Sequence, residues 1–107
     1  MDAKTTVSAY FDAFNRGDWP AMLDLLDDGI EHHVNEGGIR SGKAAFADFL
    51  AHMDRCYSER LTDIVVFGDG DRAAAEFVVN GTYKATDEGL PEAAGQTYKL
   101  PAGSFFT

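Results

Sequence analysis

Apolar residues recur at helical spacing through the first half of the chain and at strand spacing through the second. Val7, Tyr10, Phe11 and Phe14 stand at i, i+3, i+4 and i+7, which is one stripe of a helix. Gly17 is a C-terminal stop for that helix, Asp18 a cap for the next, and Pro20 fits its first turn. Met22, Leu23, Leu25 and Leu26 form the buried face of this second helix, which ends at Asp27-Asp28-Gly29. Ile30 to Asn35 reads as a short strand and Gly37-Gly38 as a turn. Ser41 then caps a third helix, which carries Phe46, Phe49, Leu50 and Met53 at helical spacing and runs to about Arg55.

The rest of the chain reads as strands. Leu61 to Phe67 is rich in Ile and Val, Gly68-Asp69-Gly70-Asp71 is a hairpin turn, and Arg72 to Tyr83 is the longest strand. Ala85 to Gly95, with Pro91 and two glycines, reads as a mobile, exposed loop that is expected to border a pocket mouth and gate ligand entry. Gln96 to Phe106 is a further strand, with Pro101 and Gly103 marking a bulge. Helices followed by a run of antiparallel strands give an α+β class, three helices against a bent sheet. The 107 residues are expected to form a single domain, residues 1–107.

Composition narrows the function. The net charge is −9, with nine scattered Lys and Arg, so no basic stripe is present to track nucleic acid or an anionic membrane. One cysteine, Cys56, excludes an internal disulfide and fits a reducing compartment. No apolar run approaches a spanning length and the first residues carry no apolar signal core, so a cytoplasmic location is expected. Eight Phe, four Tyr and one Trp are enough to line a cavity as well as fill a core.

Four segments carry a resemblance over essentially the whole chain. They are Tyr10-Phe-Asp-Ala-Phe-Asn-Arg-Gly-Asp18, Leu25-Leu-Asp-Asp28, Gly42-Lys-Ala-Ala-Phe46 and Ala75-Glu-Phe-Val-Val-Asn-Gly-Thr-Tyr83. In this order and spacing they resemble the nuclear transport factor 2-like superfamily, in its SnoaL-like and ketosteroid isomerase-related branch. The resemblance implies a cone-shaped antiparallel sheet, a cystatin-like roll, wrapped against three helices around a pocket. The family pattern continues through another strand after the position of Thr107. Without that strand a sheet edge and apolar surface are expected to be exposed.

In ketosteroid isomerase an Asp base works opposite an oxyanion hole of Tyr and protonated Asp. Carried over by position, Tyr10 matches the oxyanion tyrosine, His33 falls at the base, and Gly103 falls at the acid, so one donor is missing. The expectation is isomerase-like or dehydratase-like proton transfer on an apolar, carbonyl-bearing ligand. His33 would be the base and Tyr10 the donor, because imidazole titrates near neutral pH and a phenol stays protonated there. Asn35, on the strand face of His33, would orient the ligand, with Phe46, Phe49 and Met53 as the wall. His32 points to the other face, and a one-residue change of register exchanges the two histidines.

The alternatives are a non-catalytic pocket for a hydrophobic ligand and a dimerisation module. A homodimer through the outer sheet face is expected in any case, because many outward residues of the two long strands are apolar. His32, His33 and Glu36 lack chelate spacing, so no metal and no cofactor are expected. Cys56 reads as a buried structural thiol. Glu76 is expected on the outer sheet face, with an inward position near His33 as the alternative.

Overall fold

The computed structural model describes residues 2–34 and 37–107. Helix α1 spans Ala3–Arg16 and begins where the Asp2 carboxylate accepts from the Thr5 amide at 2.8 Å. It ends in a double backbone cap. Gly17, at φ 69°, donates to the Phe14 carbonyl and Asp18 to that of Ala13. Asp18 then turns to its second task, accepting from the Ala21 amide at 3.1 Å at the head of α2, Trp19–Asp24.

Strands β1 (Glu31–Val34) and β2 (Gly38–Ser41) form an antiparallel pair. Helix α3 covers Lys43–Cys56, then β3 (Tyr57–Asp69), β4 (Arg72–Tyr83) and β5 (Thr97–Phe106) form a three-stranded antiparallel sheet in that order. The α+β expectation holds: three helices precede an antiparallel sheet.

Two local expectations are corrected. Ser41 does not cap α3; it pairs with Glu31 as the last residue of β2, and Gly42 is the cap residue. Pro101 and Gly103 make no bulge, because β4 and β5 pair without interruption from Ala73↔Phe106 to Thr82↔Thr97. Pro101 is tolerated because β5 is an edge strand of this sheet. The irregularity lies in β3, where the register steps between Thr62↔Val78 and Val65↔Glu76, so Asp63 and Ile64 together oppose Phe77. Asp63 sits at φ 53°, a left-handed conformation that short polar side chains tolerate.

The segment from Ala85 to Gly95 is a loop, tied down rather than loose. Tyr83 Oη accepts from the Asp87 amide at 2.8 Å and donates to the Pro91 carbonyl at 2.6 Å.

Alternation along β4 decides which side of the sheet is core. Ala73, Ala75, Phe77 and Tyr83 are buried while Glu76 is exposed on the other face. Val7 and Phe11 of α1 pack on that buried face together with Leu61. A second cluster, Ala13, Met22, Phe46 and Leu50, holds the three helices to one another, with Tyr10 and Phe14 touching both clusters. Asn15 clamps the free edge of β3. Its amide donates to the Leu61 carbonyl at 2.9 Å and its carbonyl accepts from the Leu61 amide at 2.8 Å. Those two backbone groups have no strand beside them, so the side chain stands in for one.

Candidate functional site

Strand β1 presents His32 and Val34 to the inside, half-buried like Ile30 just before the strand, and Glu31 and His33 to the outside. The His33 ring is 63% exposed and its Nε2 lies 3.2 Å from Glu31 Oε1 on the same outer face. His33 and Tyr10 are therefore not brought together, contrary to expectation. The histidine that turns inward is His32. Its ring packs edge-on against Phe46 and Phe49 of α3, with centroids 5.0 and 4.7 Å away. The physical reason is parity: Ile30 and Val34 are in phase with His32, and burying them carries His32 inward. That signal was readable in the sequence. Asn35 and Glu36 lie outside the described residues.

The inward nitrogen is the unusual feature. His32 Nδ1 is buried and has no hydrogen-bond partner among the described residues. Buried polar atoms are nearly always paired, and leaving one unpaired costs about 1–3 kcal/mol. Burial lowers the His32 pKa from its ordinary value of 6.5, and the neighbouring Arg40 and His33 push it the same way. Arg40 lies across the strand pair from His32, with its guanidinium 5.4 Å from the Phe49 ring centre. The result is an imidazole held neutral at pH 7, with its Nδ1 unpartnered among the described residues.

Tyr10 reaches the same aromatic cluster from α1. Its ring lies 6.5 Å from Phe46 and 5.9 Å from Phe106 of β5. Burial raises its phenol to about 12, so it remains a proton donor throughout the neutral range. Phe46 is buried and stands against both Tyr10 and His32. Phe49 is half-buried beside it, and Met53 follows one turn later, also half-buried. In the three-stranded sheet, β5 turns Tyr98, Leu100, Ala102, Ser104 and Phe106 to the helix side, and Leu100 is 53% exposed there.

A separate polar cluster forms where α3 ends. His52 Nε2 lies 2.9 Å from Asp87 Oδ1, and Tyr57 Oη donates to Asp87 Oδ2 at 2.7 Å. The Tyr57 hydrogen bond, and then those from His52, hold the Asp87 carboxyl below its ordinary value. Burial, and then the Asp87 contact, push the Tyr57 phenol up. Nearby, Tyr98 Oη donates to Glu59, and burial followed by that bond raises Tyr98. The sequence reading missed this cluster, although the i, i+4 spacing of His52 and Cys56 was visible; the participation of Asp87 was not.

Among the described residues no helix is long and apolar enough to cross a membrane.

Comparison with known proteins gives the lineage. The SnoaL-like domain family matches residues 7–107. A protein of Pseudomonas putida KT2440 described as a "putative polyketide cyclase" is 57% identical, with 99% of this chain and 81% of that one covered and a TM-score of 0.97. One from Silicibacter sp. TM1040, described in the same words, is 62% identical over 98% of this chain and 78% of that one, with a TM-score of 0.94. An LEH-like epoxide hydrolase of M. tuberculosis shares the fold at 15% identity, covering 97% of this chain and 71% of that one, with a TM-score of 0.76. No curated protein matches the chain.

Proposed function

The chain belongs to the SnoaL-like domain family, and from that premise we propose that it is an acid–base catalyst acting on an apolar, carbonyl-bearing ligand. The ligand lies between α3 and the helix-facing side of β5, against Phe46, Phe49, Met53 and Leu100. His32, in place of His33, takes a proton from the carbon beside the carbonyl, and Tyr10 donates to the oxygen as negative charge develops there. The enolate so formed can be reprotonated elsewhere, which is isomerisation, or can attack a second carbonyl of the same molecule, which is ring closure. The second outcome is the one that the names of the 57% and 62% identical proteins suggest.

The observation that carries this reading is the buried, unpartnered Nδ1 of a neutral His32 in an aromatic wall. A base must be unprotonated at its working pH, and the lowered pKa of His32 keeps its imidazole neutral there. The same observation supports a second reading, a non-catalytic binder of a hydrophobic carbonyl compound. No described side chain orients the imidazole through its Nδ1, and general bases commonly have such a partner.

The outer face of the sheet supports assembly. Phe67, Ala74 and Phe105 lie side by side across three strands, with Phe67 56% and Phe105 88% exposed. An isologous dimer would cover this row. The single free, buried Cys56 fits a reducing compartment, the cytoplasm.

The test is hydrogen–deuterium exchange at carbon. A panel of apolar diketones is incubated with the protein in deuterated buffer, and label beside the carbonyl is followed by NMR. Exchange above background is expected. It should fall by about 10²–10⁴ in His32→Gln and about 10²–10³ in Tyr10→Phe, with ligand binding retained. Binding without exchange in the unmodified protein would select the second reading, and exchange unchanged in His32→Gln would refute the first.

A further inference from the structure

We infer that His52, Cys56 and Asp87 form a binding site for a divalent metal of the zinc class, stapling the segment after β4 to the end of α3. His52 and Cys56 stand at i and i+4 on α3, the spacing that puts two side chains on one helix face. Asp87 arrives from the loop. One donor atom from each residue lies within 4.8 Å of the other two. Tetrahedral zinc, with bonds of about 2.0–2.3 Å, sets its donors roughly 3.3–3.7 Å apart, so the trio needs only small side-chain adjustments to close around an ion.

Chemistry and support agree with that assignment. Nitrogen, sulfur and carboxylate oxygen are zinc donors, whereas calcium and magnesium take oxygen. A thiolate and a carboxylate balance a divalent charge in a site whose cysteine is 1% exposed. Tyr57 donates to the outer oxygen of Asp87 and leaves Oδ1 turned towards His52, as outer partners of metal ligands do. The backbone is already in place, because the amides of Lys84 and Ala85 both donate to the Cys56 carbonyl, at 2.8 and 3.2 Å. A fourth position is left for water.

Proton bookkeeping fixes what binding requires. Arg55 lies 3.0 Å from His52 Nδ1 and donates to it, so the imidazole proton sits on Nε2 and faces Asp87. On metal binding that proton moves to Nδ1, the exposed Arg55 swings to solvent, and the Cys56 thiol proton is released to bulk. At least one proton is therefore released for each ion bound, and affinity should fall on acidification.

The experiment titrates the purified chain with Zn²⁺ by calorimetry and with Co²⁺ by absorbance. One equivalent should bind, and cobalt should give a thiolate charge-transfer band with the intense visible bands of tetrahedral coordination. His52→Gln and Cys56→Ser should each weaken binding at least tenfold, and Tyr57→Phe roughly tenfold. Arg55→Leu should leave affinity equal or tighter, because a nearby cation is removed. His33→Gln should change nothing, which separates this site from a surface histidine. His52 is only half-buried on a helix, so its variant keeps the test open if Cys56→Ser fails to fold. Absence of a thiolate band, or binding equally tight in His52→Gln, would overturn the inference.

Discussion

Replacing His32 with Phe should make the protein more stable and inactive at once. A phenyl ring preserves the edge-on contacts with Phe46 and Phe49, now at 5.0 and 4.7 Å, and removes the buried nitrogen that has no described partner. Relief of an unpaired buried polar atom is worth about 1–3 kcal/mol. The slightly larger ring takes back part of that through crowding, about 1 kcal/mol. The expected gain is about 1 kcal/mol at pH 8, or about 4 °C in Tm for a domain near 100 residues.

The gain should also depend on pH with a definite sign. The folded state holds the His32 pKa below 6.5, through burial first and then Arg40 and His33. The unfolded chain therefore takes up the proton more readily, and the wild type loses stability as pH falls through 6.5. The variant has nothing to protonate there, so its advantage should widen from pH 8 to pH 5. Urea unfolding at both values, with unchanged m, measures it. A variant less stable than wild type by 1 kcal/mol or more at pH 8, or an advantage that shrinks at pH 5, would refute the account of this site. A gain in stability paired with loss of carbon-acid exchange is the trade expected of a residue kept for function.

Other outcomes follow from the same geometry. The exchange rate should be level across neutral pH, falling on the acid side at a pH below 6.5 as His32 protonates and on the alkaline side only near 12 as Tyr10 ionises; an acid limb at or above 6.5 would count against His32 as the base. Gly81→Ala should cost about 1–3 kcal/mol in thermal unfolding, because a Cβ there runs into the Tyr98 ring and forces it off Glu59. Phe105→Glu should weaken a dimer at least tenfold in sedimentation without loss of helix or strand signal, since a charge at the β5 end of the Phe67–Ala74–Phe105 row cannot be buried unpaired.

What the chain determined alone was whatever depends on near neighbours. The end of α1 at Gly17, the start of α2 at Asp18 and the span of β4 from Arg72 to Tyr83 match the local pattern, because caps, left-handed glycines and alternation act within a few residues. Tyr10 was placed correctly in the aromatic core for the same reason, and the apolar parity of Ile30 and Val34 held the orientation of His32 for a reading that weighed it.

Pairing decided the remainder. β3 extends from Tyr57 to Asp69, beyond its apolar stretch, because Asn80–Tyr83 offer free backbone partners to its polar start. The bulge falls at Asp63-Ile64 rather than beside Pro101, since a bulge is a mismatch in residue count between two strands and neither strand encodes it alone. Ser41 was drawn into β2 by Glu31 before it could cap α3. His52 and Cys56 were neighbours by helical spacing, but Asp87 joins them from more than thirty residues downstream of Cys56, a proximity that only the packing of β4 and its following loop against α3 creates.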